Sequence, residues 1–374
     1  MTSLFLLYNT LLRETMALEV ELLMDNATLK EIYRSVEEKL SNVRFGLIWP
    51  NFQAFDFALY FGDSMCFQGK INEKPTSFMG NTSILYEGAP IAIWDMRYTK
   101  IEDEQSLELL TANIVHEMFH TFQKQSGETR FPHDLELPFY PHDAELTALT
   151  RREYAILTDE KQSPALRLES IAGIRNEKIK RIGRFCEDEY LAETAEGLAE
   201  YAGLKALSQI NRPLFMTMRD RYESYLLDDR YLFDVRRRAY YSEVLIAFLA
   251  EAAGLTLYHP LSEKRPVWNL LDVPAGPFQA LNTTDIDKAR KLFVTECERR
   301  EALLQSFKKR FPNERPSDAE IVGYDPMNLT RVGDWLISTH VIMLNDENIP
   351  QPMMGDHLLK MKAGSARKVH TIAY

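Results

Sequence analysis

The chain has 374 residues, 45% of them hydrophobic and 26% charged, which is ordinary for a globular protein and long enough to enclose more than one hydrophobic core. Its formal net charge of −11 argues against non-specific binding to nucleic acid. The three cysteines, Cys66, Cys186 and Cys297, are odd in number and widely spaced. They make neither a disulfide framework nor a zinc finger, and fit a reducing, cytoplasmic setting.

Residues 1–8 carry neither a basic n-region nor a small-residue cleavage site, so no signal peptide is expected. Thr28-Leu29-Lys30-Glu31 reads as a capping box that opens an amphipathic helix reaching about Leu40. Residues 45–95 are β-rich, with strand-like runs at 55–61, 65–69 and 83–94 broken by Gly, Asp, Asn and Pro. Residues 104–125 then run without Pro or Gly. Leu107, Leu110, Ile114, Val115, Met118, Phe119 and Phe122 form an apolar stripe at helical spacing, and Gly127 stands where such a helix should stop. From there to about Phe311 the pattern is almost wholly helical. Breaks fall at Pro132, Pro138, Pro141, Pro213, His259-Pro260 and across 273–278. From Asp325 the chain returns to short β-like pieces, notably 340–344 and 367–374. No stretch approaches about 18 uncharged apolar residues, the best being 244–258 with Glu251 inside it, so no membrane partner is expected. The expectation is an α+β fold: a β-rich layer on a mainly helical lobe, with a small β-containing C-terminal part. The expected divisions are 1–100, 101–320 and 321–374.

The chemistry concentrates in His116-Glu117-Met118-Phe119-His120. On a helix, residues four apart share a face, so both imidazoles can reach one cation at about 2.0–2.1 Å, with a carboxylate between them to act as general base. A third ligand is needed. A metzincin would place Gly and His three and six residues beyond His120, where Gln123 and Ser126 stand. The short thermolysin spacing would place Glu about twenty residues on, near Phe139 and Tyr140. Glu145, in His142-Asp143-Ala144-Glu145, is one candidate, and His133, Asp134, His142 and Asp143 are also within the range of possible ligands. Glu193 and Glu196 lie on a helical pattern over 187–207.

The run Glu196-Gly197-Leu198-Ala199-Glu200-Tyr201 resembles the Glu-Gly-x-Ala-x-Tyr segment of the gluzincin zinc metallopeptidases, of which the aminopeptidase N type is best known. The resemblance covers roughly residues 45–254. It implies that Glu196 is the third zinc ligand, supplied by the helix that follows the His-Glu-x-x-His helix. Glu193, one turn earlier, is then placed to accept a ligand imidazole N–H. Seventy-six positions separate His120 from Glu196, far more than in compact members, so residues 131–185 are expected to be a helical insertion that leaves and returns. Tyr240-Tyr241-Ser242-Glu243 opens an apolar helix ending at Gly254, and looks like the family segment whose Tyr hydroxyl donates to the oxyanion. The family Gly three residues after that Tyr is absent, and either Tyr240 or Tyr241 could serve. The family layout also implies an edge strand from residues 78–94 that pairs with extended substrate. The aminopeptidase Gly-x-Met-Glu-Asn signature is missing, Met79-Gly80-Asn81-Thr82 offering no equivalent Glu.

These expectations describe a zinc-dependent metallopeptidase acting on a peptide or protein substrate. Zn2+ is held by His116, His120 and Glu196, with Glu117 as general base and Tyr240 or Tyr241 at the oxyanion. The rival expectation is a regulatory protein that keeps the scaffold to grip a peptide with little turnover. Arg236-Arg237-Arg238 could clamp a substrate carboxylate, although a solvated, salt-bridged face is the plainer reading, as it is for residues 178–184. His259, His340, His357 and His370 have no motif context.

Overall fold

A computed structural model describes residues 24–346 and 349–374. The fold is α+β. Among the described residues the helices are α1 (Asn26–Ser41), α2 (Glu104–Gln125), α3 (Ala144–Leu157), α4 (Pro164–Ile182), α5 (Arg184–Ala192), α6 (Leu198–Ile210), α7 (Arg212–Leu227), α8 (Val235–Ala252), α9 (Val267–Leu270) and α10 (Thr283–Arg310). Two compact units divide the chain, and each takes it up more than once. The first holds the described residues up to Phe131, with Glu193–Ser224 and Tyr240–Asp272. The second holds Pro132–Ala192, Tyr225–Ala239 and Val273–Tyr374. This interleaving differs from the contiguous division expected at 100 and 320. The chain leaves the first unit after Phe131 and re-enters it at Glu193, which brings residues distant in sequence onto neighbouring helices.

In the first unit, strands β1 (Phe57–Phe61), β2 (Ser64–Phe67), β3 (Lys70–Glu73), β4 (Thr82–Tyr86) and β5 (Ala89–Asp95) form a sheet in the order β3-β2-β1-β5-β4. β1 and β5 are parallel and the other pairs antiparallel. The strand-like run 83–94 is a hairpin of two strands, β4 and β5. Glu87 and Gly88, at φ 49° and 81°, make a two-residue turn with both centres left-handed, which matches the strands' right-handed twist. β4 is thereby an edge strand. Ala58, Tyr60, Met65, Phe78, Ile91 and Ile93 build a core on the sheet.

α1 begins one turn earlier than expected, because the Asp25 carboxylate, not Thr28, accepts the Thr28 N–H and caps it. Its Tyr33 stacks on Phe57 of β1 with centroids 4.4 Å apart. α2 is capped by Asp103, whose carboxylate accepts the Ser106 N–H while Ser106 Oγ accepts the Asp103 N–H. Almost every residue from Leu107 to Gln123 is buried. A helix buried on all faces needs neighbours on all faces. α1, β4, β5 and α6 supply them.

In the second unit, α3, α4 and α10 pack together. The C-terminal residues form two antiparallel sheets. One has the order β6 (Glu314–Pro316), β13 (Val369–Ala373), β12 (His357–Met361), β9 (Trp335–Ser338) and β8 (Leu329–Val332). The other has the order β11 (Ile349–Met354), β10 (Val341–Asp346) and β7 (Glu320–Tyr324).

Two charge runs depart from expectation here. Lys178 is fully buried, its Nζ 3.1 Å from both Glu153 and Glu189. Arg175 Nε donates to Glu153 at 2.7 Å, and Arg238 Nη2 to Glu189 at 2.8 Å. Tyr140 Oη donates to the other oxygen of Glu189 at 2.7 Å. Residues 178–184 and 236–238 are therefore not simply solvated faces. Arg236 pairs with Asp134 and Arg237 with Asp234. Buried charges survive only when paired, and these are. α8 starts at Val235, five residues before Tyr240, with the Asp234 carboxylate accepting the Arg237 N–H. Tyr240 and Tyr241 thus lie within the helix and do not open it.

Candidate metal centre

The ligand set is assembled by α2 and the turn before α6, all within the first unit. His116 and His120 lie one turn apart on α2, with their Nε2 atoms 3.1 Å from each other. Glu196 Oε2 lies 3.3 Å from His120 Nε2 and 3.8 Å from His116 Nε2. Around an ion in tetrahedral coordination at about 2.0–2.1 Å, ligand atoms stand about 3.3–3.4 Å from one another. The observed triangle is of that size.

The tautomers point the same way. His116 Nδ1 lies 2.9 Å from Glu200 Oε2, an acceptor, and His120 Nδ1 lies 2.9 Å from Gln123 Oε1. Gln123 Nε2 donates to Ala195 O at 3.3 Å, which fixes which end of the amide faces His120. Both imidazoles therefore carry hydrogen on Nδ1 and direct the Nε2 lone pair inward, onto each other and onto a carboxylate oxygen. Three converging lone pairs require a cation between them, a proton or a metal ion.

Electrostatics agree. Burial opposes the charge on Glu196, but the facing His120 and His116, with a hydrogen bond from Tyr240, outweigh it and hold the carboxyl down to about 2. Burial likewise lowers the pKa of His116, but Glu200, Glu117 and Glu196 overcome it and leave the imidazole above its usual 6.5. Glu117 is buried and its Oε1 has no hydrogen-bond partner. His116, His120 and Glu196 are the group of three ligating side chains that the described residues bring together.

No protein-family model, curated protein or solved structure matches the chain.

The tyrosines separate. The Tyr240 ring lies parallel to His116, interplanar angle 5° and centroids 6.1 Å apart, and its hydroxyl reaches Glu196. Tyr241 packs on the Tyr222 ring at 5.1 Å. Tyr240 is at the ligands, and Tyr241 backs the helix pair behind them. The rival ligands are engaged elsewhere: Glu145 and Asp143 with Arg181, Asp134 with Arg236, and His133 with Asp188. His142 is held against Tyr140 and Phe233, its pKa pushed well down by burial.

Glu193 corrects an expectation. It accepts Ser242 Oγ at 2.8 Å, and the carboxylate that holds His116 is Glu200, one turn after Glu196. Tyr222 Oη donates to the other oxygen of Glu200. Glu193–Gly197 is a π-helical turn, and the extra residue rotates the face that Glu193 would share with Glu196. Sequence reasoning missed Gln123, Glu200 and Tyr222. At Gly203 an added Cβ would meet the Ala112 carbonyl oxygen at 2.8 Å and His116 Cβ at 3.6 Å. A glycine facing a backbone carbonyl lets α6 press onto α2, and that signal could have been sought in Gly203.

β4 crosses α2 close to the ligands. Thr121 Oγ1 donates to Ser83 Oγ and Lys124 Nζ to Ser83 O, both at 2.8 Å.

Proposed function

We propose that the protein is a zinc-dependent peptidase of gluzincin type. The observation that carries the reading is the triangle of His116 Nε2, His120 Nε2 and Glu196 Oε2; Glu117, next in sequence to His116, keeps a buried carboxylate oxygen with no hydrogen-bond partner among the described residues. Imidazole and carboxylate donors in a three-membered set suit zinc with one open position. Bound there, zinc would supply a water of lowered pKa and polarise a substrate carbonyl. Every other part of the chemistry belongs to side chains. Glu117 accepts the water's proton on its free oxygen and delivers it to the leaving amine. Tyr240, the tyrosine nearer the ligands, is the candidate donor to the developing oxyanion, exchanging its bond to Glu196 for that role. Glu200 holds His116, and Gln123 holds His120, in the tautomer that binds.

β4, an edge strand among the described residues and tied to α2 through Ser83, is the strand on which an extended peptide could add. Strand addition would serve either reading; the buried Glu117 carboxylate between the two histidines favours peptide cleavage over the alternative of a non-hydrolytic peptide-binding protein. Among the described residues no helix is long and apolar enough to cross a membrane. The three thiols are unbonded, which suits a reducing compartment such as the cytoplasm.

Incubating the purified protein with a peptide pool should give cleavage that a chelator stops and added zinc restores. Stoichiometric zinc with no cleavage of any peptide would leave the binding protein as the better account.

A further inference from the structure

Glu193–Gly197 is the only π-helical turn among the described residues. Such a turn abandons the regular backbone ladder, so its groups need outside partners. Besides the Tyr240 hydroxyl on Glu196, tertiary hydrogen bonds reach it through Thr194, Glu193 and Ala195. Thr194 Oγ1 accepts the Val267 N–H at 2.9 Å, and Glu193 Oε1 accepts Ser242 Oγ at 2.8 Å. Gln123 Nε2 donates to Ala195 O at 3.3 Å. Gln123, unlike Val267 and Ser242, is also seen against a histidine of the site, its Oε1 lying 2.9 Å from His120 Nδ1. The side chain is fully buried.

We propose that Gln123 is a positioning residue of the metal centre, one carboxamide setting both the tautomer of His120 and the register of the π-turn that presents Glu196. This rests on the zinc reading above. A carboxamide suits the task because its two ends differ: the oxygen accepts the imidazole N–H while the nitrogen donates to a carbonyl. Glutamate keeps the acceptor and loses the donor. Methionine, of similar length, loses both.

The test is zinc affinity, by competition with a chromophoric chelator, for wild type, Gln123→Glu and Gln123→Met. It is read beside the His120 tautomer in metal-free protein carrying 15N-labelled histidine. The expected result is affinity lowered about 10–100-fold in both variants. His120 should be protonated on Nδ1 in wild type and Gln123→Glu, and should lose that preference in Gln123→Met. A merely structural glutamine would not move the tautomer, and the wild-type measurement needs no variant to fold. Wild-type His120 without a proton on Nδ1, or variants binding zinc as tightly as wild type, would overturn the inference alone. A wild type that binds no zinc would overturn the metal-centre reading and this inference with it.

Discussion

His116 Nδ1 lies 2.9 Å from the Glu200 carboxylate, so an imidazole of the candidate centre on α2 is held by an acid on α6, 84 positions away in sequence. Glu200 in turn accepts the Tyr222 hydroxyl. Both partners are buried, so the dyad fixes ring orientation where water cannot compete. Removing the acid while keeping the helix, by Glu200→Ala, should lower zinc affinity about 10–100-fold. Chelator competition reads this directly, and unchanged affinity would show that His116 needs no such support.

Glu117→Gln should bind zinc as wild type does and lose about 10²–10⁴ in turnover, since the amide cannot take a proton. Zinc content and peptide-cleavage rate, measured on the same preparation, check both halves. Retained turnover would remove Glu117 from the general-base role.

The pH dependence follows from two opposed shifts. In the metal-free chain the His116 pKa is raised above 6.5, so its contribution to stability is full below that value and fades as pH rises through the folded pKa. Zinc must displace that proton, and its affinity should fall by up to about tenfold per pH unit on the acid side. Glu196, held to about 2, stays ionised throughout, and its own contribution is lost only as pH falls towards that value. Zinc titrations between about pH 5.5 and 8 should therefore show affinity rising with pH. A flat profile would contradict the proton-for-metal exchange.

Gly203→Ala should be costly out of proportion to one methyl group. Its Cβ lands 2.8 Å from a backbone oxygen of α2, which cannot rotate away, so α6 must shift. Overpacking of this kind costs about 1–3 kcal/mol. Because Glu200 and His116 face each other across the same crossing, zinc affinity should fall as well. Denaturant melts and zinc competition report the two effects.

Lys178→Met should destabilise the second unit by about 3–5 kcal/mol, because it leaves Glu153 and Glu189 buried with less of their neutralising charge. Urea unfolding would show it as a lowered midpoint. An unchanged midpoint would mean that Arg175 and Arg238 suffice for the two acids.

What the sequence discloses and what it hides divide by distance along the chain. His116, Glu117 and His120 are readable because their relation is local, four residues on an uninterrupted helix. Glu196 is readable only through its surrounding motif, and its approach to His120 depends on residues 132–192 departing for another unit. Gln123 and Glu200 carry no pattern, since their roles depend on a π-turn and a helix crossing that periodicity does not encode. The charge runs misled for a related reason. Lys178 is neutralised by Glu189, 11 positions on, and Glu153, 25 positions back, so its burial cannot be seen in the run itself. The hairpin turn at Glu87-Gly88 was hidden because a glutamate occupies a left-handed position more often given to Asn, Asp or Gly.

The most direct measurement is elemental analysis of the purified protein beside Glu196→Ala. The account predicts about one zinc per chain in the wild type, as a single three-ligand site allows, and strong depletion in the variant. Wild type without metal, or a variant that retains it in full, would contradict the proposal that these three side chains form a zinc centre.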